Sequence, residues 1–180
     1  MMKILDMTQL DEDQLEKSAE ILTDTLNIGY PTFKDAMEEI KELLIPENTL
    51  LAVVEGEAVI GWGGILAPLY DGNVFELHPL VVREDRQGEG IGAALMEALE
   101  NSAKEQGGLT IWLGADDESE DGETSLADAD LYEDLPAKLA RFDPGTNQAG
   151  FYLKMGYKII GVMPDANGRG RPDIFFGKRL

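Results

Sequence analysis

A glycine-rich segment at positions 87–93 carries the residues best suited to bind a phosphate group. Its sequence, Gln-Gly-Glu-Gly-Ile-Gly-Ala, follows the apolar stretch 75–82 and precedes a segment with helical periodicity. A strand, a tight turn and a helix start, in that order, direct several backbone N–H groups and a helix dipole at an anion. Glycine is needed because a Cβ would keep the ligand away from the backbone. The segment predicts a binding site for a phosphorylated cofactor.

A second group of reactive residues lies just upstream, in the apolar stretch itself. Glu76 and His78 are two positions apart, so they share one face of a strand. Pro79 has no N–H to donate to a sheet ladder and predicts a bulge or splay. The next N–H, on Leu80, is then free to donate to a ligand. One strand therefore offers a carboxylate, an imidazole and a free donor, which suit the binding of a cation beside a polarised carbonyl.

The elements that position these residues follow from the periodicity of the chain. An antiparallel meander comes first and βαβ crossovers follow, which predicts an α/β fold (α+β-like) with one mixed, mostly antiparallel sheet and flanking helices. We expect a single domain over 1–180 with an acidic insertion around 116–145. The predicted helices are 11–27, 33–45, 91–106 and 147–155, with mixed helical character in 126–142, and the predicted strands are 3–7, 50–55, 58–69, 74–82, 109–113, 157–162 and 174–178.

Composition excludes several classes of protein. There is no cysteine and only one histidine, which excludes disulfides, a thiolate nucleophile and a multi-histidine metal centre, so we expect no metal. The formal charge of −20 disfavours nucleic acid and anionic membranes as partners. It suits a polycationic substrate or an acidic surface kept for solubility. The N-terminus lacks a signal-peptide pattern and the longest apolar stretch, 58–70, is too short to span a bilayer, so we expect a cytoplasmic protein.

Three phosphorylated ligands compete for the glycine-rich segment. A nucleoside triphosphate loop ends in Gly-Lys-Ser/Thr, which is absent here. Segment 88–93 fits the dinucleotide pattern G-x-G-x-x-A, and Asp116 and Asp117 follow the next strand, where a ribose-binding acid is expected. Against a dinucleotide, the segment follows an antiparallel meander instead of the first strand of a βαβαβ unit. The third ligand is coenzyme A.

Two segments resemble signatures of the GNAT superfamily of N-acetyltransferases. Residues 87–92 resemble its Gln/Arg-x-x-Gly-x-Gly/Ala signature, and residues 151–157 resemble its Tyr-x-Lys-x-Gly-Phe/Tyr signature. The resemblance extends over nearly the whole chain and implies the GNAT fold, with a splayed strand before the glycine turn and acetyl-CoA as cosubstrate. It implies that Val82 pairs with the pantetheine arm and that the pyrophosphate is lined by Gln87, Gly88, Gly90, Gly92 and Ala93.

Three positions in or near these signatures depart from what coenzyme A binding favours. Gly145 and Gln148 replace an asparagine and an alanine that are frequent in the family, so no coenzyme A contact is assigned to Asn147. Glu89 lies inside the phosphate turn, and we expect its carboxylate to point away from the phosphates.

Longer blocks resemble the aminoglycoside 6′-N-acetyltransferases within this superfamily. They are 76–82, 108–117, 130–133 and 156–174. The resemblance implies acetylation of an aminoglycoside 6′-amine, an antibiotic-resistance activity, by an enzyme whose relatives are commonly homodimers. Another amine, such as a polyamine or a protein N-terminus, is the alternative acceptor. A catalytically silent acetyl-CoA-binding module is the alternative from a different class.

Direct acetyl transfer to an amine gives each candidate residue a role. Glu76 is expected to hold the substrate ammonium and to accept its proton directly or through water, with His78 in the relay. Cation binding without proton transfer is the alternative for Glu76, and orientation of the strand end is the alternative for His78. The N–H of Leu80 would polarise the thioester carbonyl, and the resemblance assigns to Tyr152 the general acid that protonates the thiolate. The candidate substrate-binding residues are Glu76, Tyr70, Asp116 and Asp117.

Overall fold

The computed structural model describes residues 1–180 and has a mixed α/β fold, which confirms the predicted fold class. The chain divides into two compact units, residues 1–111 with Leu180 and residues 112–179. None of the helices combines the length and the apolar character that a membrane span requires.

Four antiparallel strands form the sheet of the first unit, in the order β1-β2-β3-β4. Strand β3 is shorter than the predicted 58–69, because Pro68 has no N–H for the ladder. Beyond its end the pairing with β4 continues through the N–H of Leu66, which donates to the carbonyl oxygen of Glu76 at 2.9 Å, and through an isolated bridge between Leu69 and Val74. The strands are β1 (Met2–Asp6), β2 (Thr49–Glu55), β3 (Ala58–Ile65) and β4 (Val74–Val82).

Three helices pack on this sheet, and local capping decides where two of them begin. Asp11 accepts a hydrogen bond from the N–H of Gln14 at 2.9 Å, and Thr32 accepts one from Asp35 at 3.2 Å. In both helices the third residue also bonds back to the cap, which completes a capping box. The helices are α1 (Glu12–Thr25), α2 (Phe33–Leu43) and α3 (Ile91–Glu105).

The sheet of the first unit buries side chains on both of its faces. On one face, Trp62 packs in a cluster with Leu22 of α1 and Ile40 of α2. On the other face, Ile60 packs in a cluster with Leu95 of α3. Two buried faces explain why β2 and β3 are almost continuously apolar instead of alternating.

Two glycines of β3 let the backbone of β4 approach closely. A Cβ on Gly63 would lie 2.8 Å from the carbonyl oxygen of Pro79, and a Cβ on Gly64 would lie 3.0 Å from that of His78. Real Cβ atoms do not approach a backbone oxygen this closely, so any side chain here would displace β4. These glycines therefore fix the position of the strand that carries the candidate catalytic residues.

Replacing Gly63 by alanine is expected to lower the free energy of unfolding by about 1–3 kcal/mol, because the added methyl group overpacks against the β4 backbone. The matched control is Gly29→Ala, where the nearest atom to a new Cβ is 3.9 Å away, and its effect should stay within about 0.5 kcal/mol. Urea unfolding followed by circular dichroism measures both. Equal stability of the two variants would contradict the prediction.

The second unit contains the three remaining strands, in the order β5-β7-β6, with β6 and β7 antiparallel. Only five residues of the segment 126–142 form an α-helix, which begins where Asp134 caps the N–H of Ala137 and where Pro136 occupies the first turn. The elements are β5 (Thr110–Asp116), α4 (Leu135–Leu139), α5 (Ala149–Lys154), β6 (Lys158–Met163) and β7 (Asp173–Arg179).

Side-chain hydrogen bonds order the acidic segment after β5. The amide of Asn147 donates to the carbonyl oxygen of Asp116 at 2.9 Å and to the carboxylate of Glu123 at 2.8 Å. The guanidinium of Arg171 donates to the carbonyl oxygen of Ser119 at 2.8 Å. Asn147 thus holds this segment in place.

Candidate active site

The glycine-rich segment forms the turn between β4 and α3. Gly88 and Gly90 have left-handed backbone conformations, with φ of 80° and 84°, which side chains disfavour. Gly90 is also the N-cap residue of α3. No atom lies within 4 Å of the position that a Cβ would take on either glycine. The turn therefore needs glycine for its shape and leaves open space beside it.

The backbone N–H groups of residues 88–93 have no acceptor within the chain. The first N–H of the helix with a partner belongs to Ala94, which donates to the carbonyl oxygen of Gly90 at 3.0 Å. The free donors lie at the positive end of the dipole of α3, a helix of 15 residues. This donor set fits a pyrophosphate group, as the sequence predicts for Gly88, Gly90, Gly92 and Ala93.

Gln87 holds the start of the turn instead of offering a free donor. Its backbone N–H donates to the carbonyl oxygen of Glu84 at 3.3 Å, and its side-chain amide donates to that of Val82 at 3.1 Å. Its part in cofactor binding is therefore to shape the turn through these two bonds.

Arg86 neutralises the one acidic side chain of the turn. Its Nε donates to the carboxylate of Glu89 and its Nη1 to that of Glu55, both at 2.9 Å. The Arg86 side chain is 19% exposed, so solvent screens these pairs only in part. Because Glu89 is held by Arg86, its charge opposes an anionic ligand less than a free carboxylate would.

Replacing Arg86 by alanine is expected to weaken acetyl-CoA binding about threefold, because the charge of Glu89 is then left unpaired beside the phosphates. In a Glu89→Gln background the same replacement should have no effect, since the carboxylate beside the phosphates is already absent and the other partner of Arg86, Glu55, lies outside the turn. Isothermal titration calorimetry of the four proteins measures the coupling. A loss that persists in the Glu89→Gln background would show that Arg86 itself contacts a phosphate.

A β-bulge interrupts β4 at the proline, as the sequence predicts. Gly63 pairs with Leu80 and Ile65 pairs with Leu77, so two residues of β4, His78 and Pro79, oppose Gly64 alone. The bulge shifts the alternation of side chains along the strand by one position.

The shift gives the two halves of β4 different faces. His78, in the bulge, contacts Glu39 of α2. Leu80 and Val82, after it, pack against the cluster that contains Ile91 of α3. The residues of β4 that are candidates for binding the amine therefore lie on the α2 side. Those that are candidates for binding the cofactor lie on the α3 side.

The N–H groups of Leu80 and Val82 point away from β3. The N–H of Arg83 donates to the carbonyl oxygen of Ile60 at 3.0 Å. Bonded and non-bonded pairs alternate along an antiparallel ladder, so Val81 is the next residue of β4 that bonds to β3. The geometry therefore leaves the Leu80 donor off the β3–β4 ladder.

Glu76 and His78 form a polar group on the α2 side of β4. Burial raises the pKa of the half-buried Glu76 carboxyl, and the charge of His78 acts in the opposite direction. The Nε2 of His78 lies 3.2 Å from the Tyr30 hydroxyl and 3.2 Å from Oε1 of Glu39. Sequence analysis did not find Tyr30 or Glu39. Helical spacing was the only sequence signal near these two residues. It predicts α2 but does not indicate that the helix contacts His78 of β4.

Tyr152 is buried among aromatic rings of the second unit. Its ring centroid lies 5.4 Å from that of Phe151, 6.2 Å from that of Tyr157 and 6.1 Å from that of Phe176. Burial raises the pKa of its hydroxyl, so the group stays protonated at neutral pH. The residue keeps 5% of its surface exposed. Such a hydroxyl is able to donate a proton to a ligand.

The three candidate substrate residues outside β4 have different surroundings. Asp117 is fully buried, and its two oxygens accept the N–H groups of Glu123 and Thr124, both at 2.8 Å. These bonds give Asp117 a role in holding the acidic segment, and its contact with the substrate stays a prediction. Asp116 is partly exposed and accepts a hydrogen bond from Asn167 at 2.6 Å. Tyr70, in the first unit, is 76% exposed.

Comparison with known proteins places the chain in one family. A model of the acetyltransferase (GNAT) family matches residues 9–127. A crystal structure of an aminoglycoside 6′-N-acetyltransferase complexed with coenzyme A is 34% identical, with a TM-score of 0.91, over 98% of this chain and 96% of that one. The aminoglycoside 6′-N-acetyltransferase from Enterococcus faecium is 33% identical, with a TM-score of 0.87, over 99% and 96%. No curated protein matches.

The family match covers well over half of the chain and includes both β4 and the glycine turn. The solved relatives share the fold over almost the full length of both chains. With the free donors at the start of α3, these likenesses lead to one conclusion: the chain belongs to the GNAT family of acetyltransferases.

Proposed function

We propose that this acetyltransferase transfers the acetyl group of acetyl-CoA directly to a cationic amine, and that the amine is the 6′-amine of an aminoglycoside. The observation that carries the proposal is the half-buried carboxyl of Glu76, on the same strand that leads into the phosphate-binding turn. The likeness to aminoglycoside 6′-N-acetyltransferases at 33–34% identity supports this acceptor. The net charge of −20 supports a polycationic substrate, which it attracts over long range.

In the reaction a carbon–nitrogen bond forms and a carbon–sulfur bond breaks. The nitrogen of the neutral amine attacks the thioester carbonyl carbon, the carbon–sulfur bond breaks, and the sulfur leaves as the thiol of coenzyme A. Glu76 holds the substrate ammonium, and the proton leaves through Glu76 or a water molecule with His78 in the relay. The N–H of Leu80 stabilises the carbonyl oxygen as it becomes negative, an interaction whose loss typically costs ~3 kcal/mol. Tyr152 protonates the departing thiolate.

The remaining assignments concern binding. Acetyl-CoA supplies the activated acyl group, and the N–H groups of residues 88–93 bind its pyrophosphate. Val82 pairs with the pantetheine arm through backbone groups that point away from β3. Asp116 and Tyr70 are assigned to the substrate, the first through charge and the second as an aromatic wall.

A steady-state screen that detects released thiol tests the proposal. The purified protein is offered acetyl-CoA with kanamycin-type aminoglycosides, with spermine and with short peptides. The proposal expects the highest kcat/KM with the aminoglycosides and a product acetylated at the 6′-amine by mass spectrometry and NMR. Turnover of spermine or a peptide without turnover of aminoglycosides would assign another acceptor. Acetyl-CoA binding without thiol release from any amine would indicate a binding module.

A further inference from the structure

Three side chains, those of Tyr30, Glu39 and His78, meet at the imidazole of His78. The Nε2 of His78 lies 3.2 Å from Oε1 of Glu39 and 3.2 Å from the hydroxyl of Tyr30. Burial and the charge of the Glu39 carboxylate raise the pKa of Tyr30. The side chain of Glu39 is 22% exposed and that of His78 is 38% exposed. The Glu39 carboxylate is therefore more shielded from solvent than the imidazole of His78.

Counting protons in this cluster determines which nitrogen of His78 carries hydrogen. The Glu39 carboxylate offers only lone pairs when it is ionised. Nε2 must therefore be protonated, since a bare Nε2 would oppose a carboxylate oxygen at 3.2 Å. A protonated Nε2 makes the Tyr30 hydroxyl, also 3.2 Å away, a second acceptor. In the neutral imidazole Nδ1 then carries the lone pair, and no hydrogen bond within the chain uses it.

We propose that Glu39 is a positioning residue that fixes His78 with Nδ1 as the proton acceptor, so that His78 takes the proton of the amine held by Glu76. This proposal rests on the proposed function and deepens it. The substrate nitrogen loses a proton as its bond to the carbonyl carbon forms, and the proton moves to Nδ1 directly or through water. The Glu39 carboxylate, 3.2 Å from Nε2, stabilises the positive imidazolium, and the charge of Glu76 adds to this effect. With His78 held by Glu39, Glu76 binds the cation and His78 accepts the proton.

The groups that face His78 come from three elements. Glu39 belongs to α2, Glu76 belongs to β4, and Tyr30 lies in the turn that precedes α2. Removing Glu39 removes a charge and a hydrogen-bond acceptor from His78 without removing the charge of Glu76. The two carboxylates are therefore separable by mutation.

A double-mutant cycle between Glu39 and His78 tests the proposal. Glu39→Gln should lower kcat/KM for the amine at least about tenfold, while acetyl-CoA affinity stays unchanged. In a His78→Ala background, Glu39→Gln should have no further effect, because Glu39 acts only through His78. The matched control is Glu38→Gln, which removes the same charge from the exposed neighbouring position on α2 and should leave kcat/KM unchanged.

Two outcomes of the cycle would overturn the proposal. A tenfold loss that persists in the His78→Ala background would mean that Glu39 contacts the substrate directly. Unchanged kcat/KM in Glu39→Gln, in an enzyme that does turn over an amine, would mean that the cluster only joins α2 to β4. If no amine is turned over by the wild-type protein, the proposed function fails instead, and the tautomer of His78 tests the present proposal alone.

The single histidine makes that tautomer directly measurable. His78 gives the only imidazole signals of the chain, so long-range proton–nitrogen NMR spectra need no assignment. Above the imidazole titration, wild-type protein should show a protonated Nε2 and an unprotonated Nδ1. Glu39→Leu together with Tyr30→Phe removes both acceptors and should allow a second tautomer to appear. A wild-type spectrum with the proton on Nδ1 would overturn the proposal without any activity measurement.

Discussion

Replacing Glu76 by glutamine is expected to lower kcat/KM for the amine substrate about a hundredfold or more. Glutamine keeps the size of the side chain but has no charge to hold an ammonium group and no basicity to accept a proton. The same replacement should leave acetyl-CoA affinity unchanged, because the phosphate donors at residues 88–93 belong to a different part of the first unit. Steady-state kinetics with the amine varied, and calorimetry with acetyl-CoA, measure the two effects.

The matched control is Glu105→Gln, which removes one negative charge from the exposed last residue of α3. It separates the loss of a particular carboxylate from the loss of one unit of the overall acidic field. If Glu105→Gln lowered kcat/KM as much as Glu76→Gln, the general charge of the protein would account for substrate attraction. Glu76 would then have no special role.

The pH dependence of wild-type activity should also report on the role of Glu76. Only the ionised form of Glu76 is able to hold an ammonium group or accept a proton, and burial raises the pKa of this carboxyl. Activity should therefore be lost on acidification at a higher pH than an ordinary glutamate would give. In the Glu76→Gln variant the residual kcat/KM should not show this loss on acidification. An identical acidic limb in both proteins would assign the ionisation to another group.

Local chemistry explains how much of the molecule could be predicted from the sequence. The turn at 88–93 and the bulge at Pro79 depend on backbone properties of glycine and proline, which act over two or three residues. The predicted strand 74–82 coincides with β4 because turn-forming residues and apolar residues mark its two ends. These features, with a charged residue at position 76, were sufficient to identify the strand that carries the candidate chemistry.

Contacts between distant segments account for what the sequence did not reveal. His78 meets Glu39 and Tyr30 across 39 and 48 positions, and no local pattern connects them. The acidic segment was interpreted from its charges alone, yet Arg171 orders it across 52 positions. Asp117 was assigned to the substrate because it follows a strand, whereas burial and two backbone donors give it a structural role. Periodicity places elements, but partner choice within the fold depends on the tertiary structure.

Replacing Tyr152 by phenylalanine is expected to slow acetyl transfer about tenfold to a hundredfold, because the departing thiolate loses its proton donor. The replacement removes only the hydroxyl oxygen, so it should change neither the melting temperature nor acetyl-CoA affinity. The phenylalanine ring preserves the contacts with Phe151, Tyr157 and Phe176. Single-turnover measurements report the chemical step even where product release limits kcat.

The control for this replacement is Tyr132→Phe, which removes a hydroxyl from a side chain that is 79% exposed in the same unit. It should leave the single-turnover rate unchanged. The single-turnover rate is then measured with an acyl donor whose leaving thiol is more acidic, because such a thiol leaves without a proton donor. A smaller rate loss in Tyr152→Phe with this donor would identify the lost step as protonation of sulfur. A deficit independent of the leaving group would mean that Tyr152 orients the substrate, and an unchanged rate would assign protonation of the thiolate to solvent.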